Sequence, residues 1–309
     1  MVKKAFLNIF GSRIHKMNGI VTVLNTPFTQ TGGIDLGGLR RNAEIALESG
    51  VAGFLVSALA GEVETLTVEE RNAVAVAVLE VADARVPVIG GTFAATQQER
   101  VEVGRRLLDC GCHGIMVSMP FSDESRFEAD LRQLADLHPE ILMVQDWDPS
   151  GAGIPVPVIG RLFERIAEFN WLKIEVVPAG PKYTGVLEMT EGRLKVAGGW
   201  AVMQMIEALD RGVHAFMPTA MHPIYCEIYR RYADGERDSA RQLFDAVLPV
   251  LAFSNQSLEI SIQFFKRLLA AQGVYETDLV RIPCAPFDEA QQLIADELVA
   301  KVIHIEAVL

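Results

Sequence analysis

Eight short apolar runs, each separated from the next by a longer amphipathic stretch, constrain this chain more than any other feature. They occupy residues 20–25, 53–58, 87–92, 114–119, 141–147, 172–177, 194–198 and 215–219. Runs of this length, apolar on both faces, suit strands buried in a parallel sheet, and the stretches between them suit the crossover helices such a sheet requires. Eight βα units are the number that closes into a (β/α)8 or TIM barrel of the α/β class. At 309 residues, half of them hydrophobic, the chain has length and core enough for that barrel and more. After the eighth run, helical patterning continues over 223–233, 239–252, 258–271 and 285–302. A barrel needs only the first of these. The expected division is an N-terminal extension over 1–17, a barrel over 18–235 and a C-terminal helical extension over 236–309, packed on the barrel or on an oligomer partner.

Several helices announce their starts. Thr67 with Glu70 has the spacing of a capping box, as have Thr96 with Glu99 and Ser125 with Glu128. Residues 181–187 look too short for a full helix. No Pro-, Gly- or Ser-rich linker and no repeat beyond the βα period interrupts the pattern.

The formal net charge of −12 and pI near 5.0 argue against nucleic acid and anionic membranes as partners, since neither polyanion is drawn to such a field. A small-molecule partner fits this charge. Residues 1–11 faintly imitate a signal peptide, but Asn8 interrupts the apolar run and no cleavage site follows. No charge-free stretch reaches membrane-spanning length. Cys110, Cys112, Cys226 and Cys284 lack disulfide-framework spacing, which points to a reduced, cytoplasmic protein. Cys110-Gly-Cys112-His113 has tempting metal-ligand spacing but no second ligand pair, so the expectation is a helix-to-strand loop and no metal or other cofactor.

Chemistry enters with Lys173, the one lysine of eight that lies deep in an apolar strand, Trp171-Leu-Lys-Ile-Glu-Val-Val177. An ammonium there is expensive to desolvate, which favours the neutral amine, and a neutral amine condenses with ketones and aldehydes to give a Schiff base. Glu175 shares its side of the strand, the two Cα atoms about 6.5 to 7 Å apart. It reads either as an acid or base for that chemistry or as the counter-ion of a buried cation. In a barrel the active site gathers at the C-terminal strand ends. That rule brings in Thr26 after the first strand, Ala60 and Gly61 after the second, Gln145, Asp146 and Trp147 on the fifth, Gly198 to Trp200 after the seventh, and Pro218 with Thr219 after the eighth.

At these residues the chain resembles the dihydrodipicolinate synthase and N-acetylneuraminate lyase family of Schiff-base aldolases and lyases. The resemblance runs from Gly19 to about Gly273. It rests on Thr26-Pro-Phe28, Gly33-Ile-Asp35, Glu48-Ser-Gly-Val-Ala-Gly53, Ala60-Gly-Glu62 followed by Leu66-Thr67 and Glu70-Arg71, Pro87-Val-Ile-Gly-Gly91, and the lysine of the sixth strand. It implies a barrel with a C-terminal helical extension, a homo-oligomer (dimer or, commonly in the family, homotetramer), a 2-oxo acid or related carbonyl substrate, and imine formation at Lys173.

The departures from the family pattern are specific. Ala58-Leu-Ala-Gly-Glu62 lacks the hydroxyls that grip a pyruvoyl carboxylate, leaving backbone N–H groups near Ala60 and Gly61 as an anion site. Gln145 stands where the family has its proton-relaying tyrosine. The arginine that recognises the second substrate is missing from 149–153, and Pro120-Phe-Ser122 lacks the tyrosine lent across a dimer interface. The working parts of dihydrodipicolinate synthase itself are thus replaced, and Glu175, with Asp146, is expected to take over proton transfer. Thr26, Ala60, Gly61, Trp147, Gly198 and Gly199 are the expected substrate-binding set, with Trp147 and Trp200 as apolar walls, and Glu62 is expected to fix its loop by bonding backbone. The alternative is a catalytically silent ligand-binding or regulatory member. A metal-dependent barrel aldolase would need a rim cluster that His214 and His222 alone do not supply.

Overall fold

The computed structural model describes residues 17–148 and 151–309, without the side chains of Trp200 and Ala201. All eight apolar runs are strands: β1 Gly19–Val23, β2 Gly53–Val56, β3 Val88–Gly91, β4 Gly114–Ser118, β5 Ile141–Asp148, β6 Phe169–Val176, β7 Lys195–Gly198 and β8 Ala215–Phe216. They form one closed, parallel barrel in which β8 returns to β1. Between and after them come α1 Leu36–Ser49, α2 Val68–Ala82, α3 Gln97–Asp109, α4 Glu124–Ala135, α5 Val156–Arg165, α6 Gly180–Met189, α7 Met205–Asp210 and α8 His222–Ala233. Three further helices follow, α9 Arg237–Ser254, α10 Leu258–Ala271 and α11 Glu289–Ala307.

Alternation along the strands separates two cores. Val21, Val23, Leu55, Ile89, Met116, Met143, Trp171 and Met217 fill the barrel interior. Leu142, Val144, Leu172 and Ile174 point the other way, into the larger core shared with the helices. The expected N-terminal extension lies outside the described residues except for Met17, which is fully buried among the interior residues.

The capping boxes at Thr67 and Thr96 are both formed. The cap of α4 is Asp123 rather than Ser125, its carboxylate accepting from Arg126 N. A carboxylate at the start of a helix also complements the helix dipole, so Asp outcompetes the serine two residues later. Residues 180–189 form a full helix after all: Pro181 sits in the first turn, where its missing N–H has no helical partner to lose.

β5 and β6, at eight residues each, are the longest strands. Their C-terminal halves therefore carry paired side chains up to the rim, with Gln145 in register with Lys173 and Trp147 with Glu175.

Candidate active site

Lys173 follows the interior-facing Trp171 by two residues, so its side chain rises inside the barrel mouth, where it is 5 % exposed. Its Nζ lies 3.3 Å from Glu175 Oε1, and Gln145 Nε2 donates a hydrogen bond to Glu175 Oε2. Two side chains from adjacent strands thus converge on one carboxylate. Gly199, just after β7, permits this approach: a Cβ there would overlap Glu175 Oε1 and Lys173 Cε. The requirement for glycine is therefore one of space, its φ of −91° lying outside the left-handed region.

The three side chains open into a cavity of about 450 Å³, a size suited to a small metabolite. Ala60, Trp147, Gly199, Met217 and Thr219 also line it, and Trp147 is half exposed at its rim. A further wall comes from α8 and from the corner between α9 and α10, through Tyr225, Asn255, Ser257, Ser261 and Phe265. Sequence reasoning missed that wall. The only signal was the uncharged polar run Ser254-Asn-Gln-Ser257 between two apolar helices.

Four expected site residues are placed elsewhere. Asp146 alternates with Gln145 and faces the outer layer, where Oδ1 accepts from Ile154 N at 2.8 Å and Oδ2 pairs with Lys182. Burial pushes its carboxyl above the usual range against the pull of Lys182, whose own amine burial pushes down. It holds the loop above α5 and cannot reach Lys173 as an acid or base. Thr26 also turns away from the cavity, its hydroxyl donating to Gly61 O at 2.7 Å. The Gly61 N–H donates to Ala58 O at 2.9 Å, so it is not available to an anion. Gly198 is one residue out of phase with the interior-facing Ala197, and its carbonyl accepts from Met217 N. The side chain of Trp200 and residues 149–150 lie outside the described residues.

Glu62 does bond backbone, its Oε2 accepting from Arg281 N at 2.6 Å and Ile282 N at 2.8 Å. The sequence did not reveal its fully buried ion pair with Lys266 of α10, whose amine also lies 4.1 Å over the Phe28 ring. His222 is buried between Thr22 and Asn42, its imidazole pushed down to about 4 by desolvation. Among the described residues no group of three His, Cys, Asp or Glu side chains is arranged to hold a metal. Among the described residues no helix is long and apolar enough to cross a membrane.

The model of the family described as "Dihydrodipicolinate synthetase family" matches residues 16–302. A 4-hydroxy-tetrahydrodipicolinate synthase from Salinibacter ruber is 28 % identical over 88 % of this chain and 90 % of its own length. The L-2-keto-3-deoxyarabonate dehydratase of Azospirillum brasilense is 25 % identical over 86 % of this chain and 88 % of its own. A solved dihydrodipicolinate synthase from Rhodopseudomonas palustris superposes with a TM-score of 0.86, covering 93 % of this chain and 98 % of that one at 23 % identity, a likeness of fold.

Proposed function

The chain belongs to the dihydrodipicolinate synthetase family, whose members are class I aldolases and lyases, and on that premise we propose that it is a Schiff-base lyase in which Lys173 forms the imine. The observation that carries this reading is the convergence of Lys173, Glu175 and Gln145 on one cavity wall, with Gly199 leaving the space for it.

In this reading Glu175 takes a proton from the Lys173 amine 3.3 Å away, and the freed amine adds to the carbonyl carbon of a 2-oxo acid or related compound. Glu175 returns the proton to the carbinolamine oxygen, which leaves as water. The resulting iminium draws electrons from the neighbouring carbon, so a proton there becomes acidic, and Glu175 removes it. The enamine then expels a β-hydroxyl, which leaves as water with the proton held by Glu175; in a carbon–carbon lyase the iminium instead takes the electrons of the bond to the β-carbon while Glu175 removes the proton of the hydroxyl there, and in either case water releases the product from Lys173. The dehydratase name of the Azospirillum relative supports loss of a hydroxyl as the bond broken. Gln145 has no proton to exchange as a phenol does. Its amide holds the Glu175 carboxylate toward the amine, which makes it a positioning residue. Ala60 is assigned to the substrate's carboxylate end and Trp147 to the wall of the mouth. The soluble cytoplasmic homo-oligomer of the family is the accompanying proposal.

Borohydride reduction in the presence of a 2-oxo acid panel tests this reading. The expected result is a covalent adduct on the tryptic peptide containing Lys173, absent from Lys173→Ala. No adduct with any member of the panel would favour a silent ligand-binding protein.

A further inference from the structure

We infer that the part of the substrate beyond its carbonyl is uncharged and carries a hydrogen-bonding group, such as a hydroxyl, that the corner between α9 and α10 recognises. The inference rests on the catalytic reading above for which end of the cavity holds the carbonyl.

Among the described residues that line the cavity, Lys173 and Glu175 are the only formal charges, and they offset each other. Beside the wall formed by α8 and the α9–α10 corner, Lys266 follows the lining residue Phe265 directly in sequence, and both it and Arg281 are committed elsewhere. Lys266 is paired with Glu62 and donates to Leu279 O, while Arg281 bonds Glu70 and the Gly32 carbonyl. A second carboxylate reaching this wall would lose its water and gain no cation.

This wall is nevertheless polar. Asn255 Nδ2 is buried with no hydrogen-bond partner, its Oδ1 being the atom that Ser254 Oγ approaches at 3.5 Å. The Tyr225 hydroxyl, on a fully buried ring lining the same cavity, also has none. Ser261 adds a hydroxyl from the first turn of α10, while the Ser257 hydroxyl caps that helix by accepting from Ile260 N. Buried polar groups left without partners in one cavity wall ask for a ligand group that donates and accepts without charge. Leu251, Leu258 and Phe265 alternate with them and fit the carbon chain between.

Three five-carbon 2-oxo acids that differ only at the far end test this: 5-hydroxy-2-oxopentanoate, 2-oxopentanoate and 2-oxoglutarate. Binding is measured by calorimetry on full-length Lys173→Met/Glu175→Gln, which removes both cavity charges together and cannot form an imine. The hydroxyl-ended acid is expected to bind at least about tenfold more tightly than the dicarboxylate. Adding Asn255→Leu, or Ser261→Ala on the neighbouring helix should that variant not fold, is expected to erase the preference for hydroxyl over methyl. Equal or tighter binding of 2-oxoglutarate, or no binding by any of the three, overturns the inference. Failure of borohydride trapping on the wild type with this order of binding intact would overturn the imine reading alone.

Discussion

Gly199 lies against the Glu175 carboxylate so closely that a Cβ added there would come within 2.0 Å of Oε1. The carboxylate is therefore held from three directions: by the Lys173 amine, by the Gln145 amide and by the bare backbone after β7.

Gly199→Ala should leave the barrel folded while turning Glu175 away from Lys173. Overpacking of this kind costs about 1 to 3 kcal/mol in stability, and misplacing a reacting group by an ångström costs about 100-fold in rate. Thermal melts and turnover measured on one preparation check the two effects separately. A variant of unchanged kcat would mean that Glu175 is not needed where it stands.

Glu175→Gln keeps the shape and removes the proton acceptor. The expected loss in kcat is about 100- to 10,000-fold, the usual range for a general acid or base. Full retention of kcat would leave Glu175 as a counter-ion only.

Asp146 and Lys182 should behave as a structural pair. Lys182→Met strands a buried carboxylate and is expected to cost about 3 to 5 kcal/mol, whereas Asp146→Leu with Lys182→Met is expected to recover most of that. Turnover per folded molecule should be unchanged in both, as read from active-site titration beside denaturant melts. A collapse of kcat in the folded double variant would return Asp146 to the chemistry.

Glu306, near the end of α11, has its carboxyl pushed up to about 7 by burial, against a hydrogen bond from Gln272. Between its unfolded value of 4.5 and about 7, the folded chain holds a proton that the unfolded chain has released. Folding is therefore weakened as pH rises through that window, by an amount on the order of 2 kcal/mol. Comparing melts at about pH 5 and about pH 8, the wild type should lose that increment relative to Glu306→Gln.

The barrel was legible in the sequence because each strand is a short apolar run and the period between runs is regular. Lys173 and Glu175 were legible because charge is conspicuous in such a run. Asp146 misled for the same reason. It is conspicuous too, but one residue's shift on a strand reverses the face, and only the register of β5 against β6 fixes which face looks inward. Thr26 and Gly61 misled through position: they stand at the rim, yet their polar groups bond each other and the neighbouring backbone. Asn255 and Ser261 were missed because the polar run around Asn255 says nothing local about closing, some 80 residues beyond the lysine, over the same cavity. Contacts at that separation are properties of the assembled layers.

Glu62 and Lys266 are 204 residues apart and completely buried together. Glu62 belongs to the loop that also carries Ala60 to the cavity, and its backbone there is left-handed, with φ at +56°. Until α10 has been synthesised, this carboxylate has no cation and no backbone donors from 281 and 282, and an unpaired charge does not enter a core. During translation the barrel strands are complete long before the rim above them is. The mouth of the pocket is consequently among the last parts of the molecule to set, and a chain released short of residue 266 would have its imine lysine in place beneath an unfinished mouth.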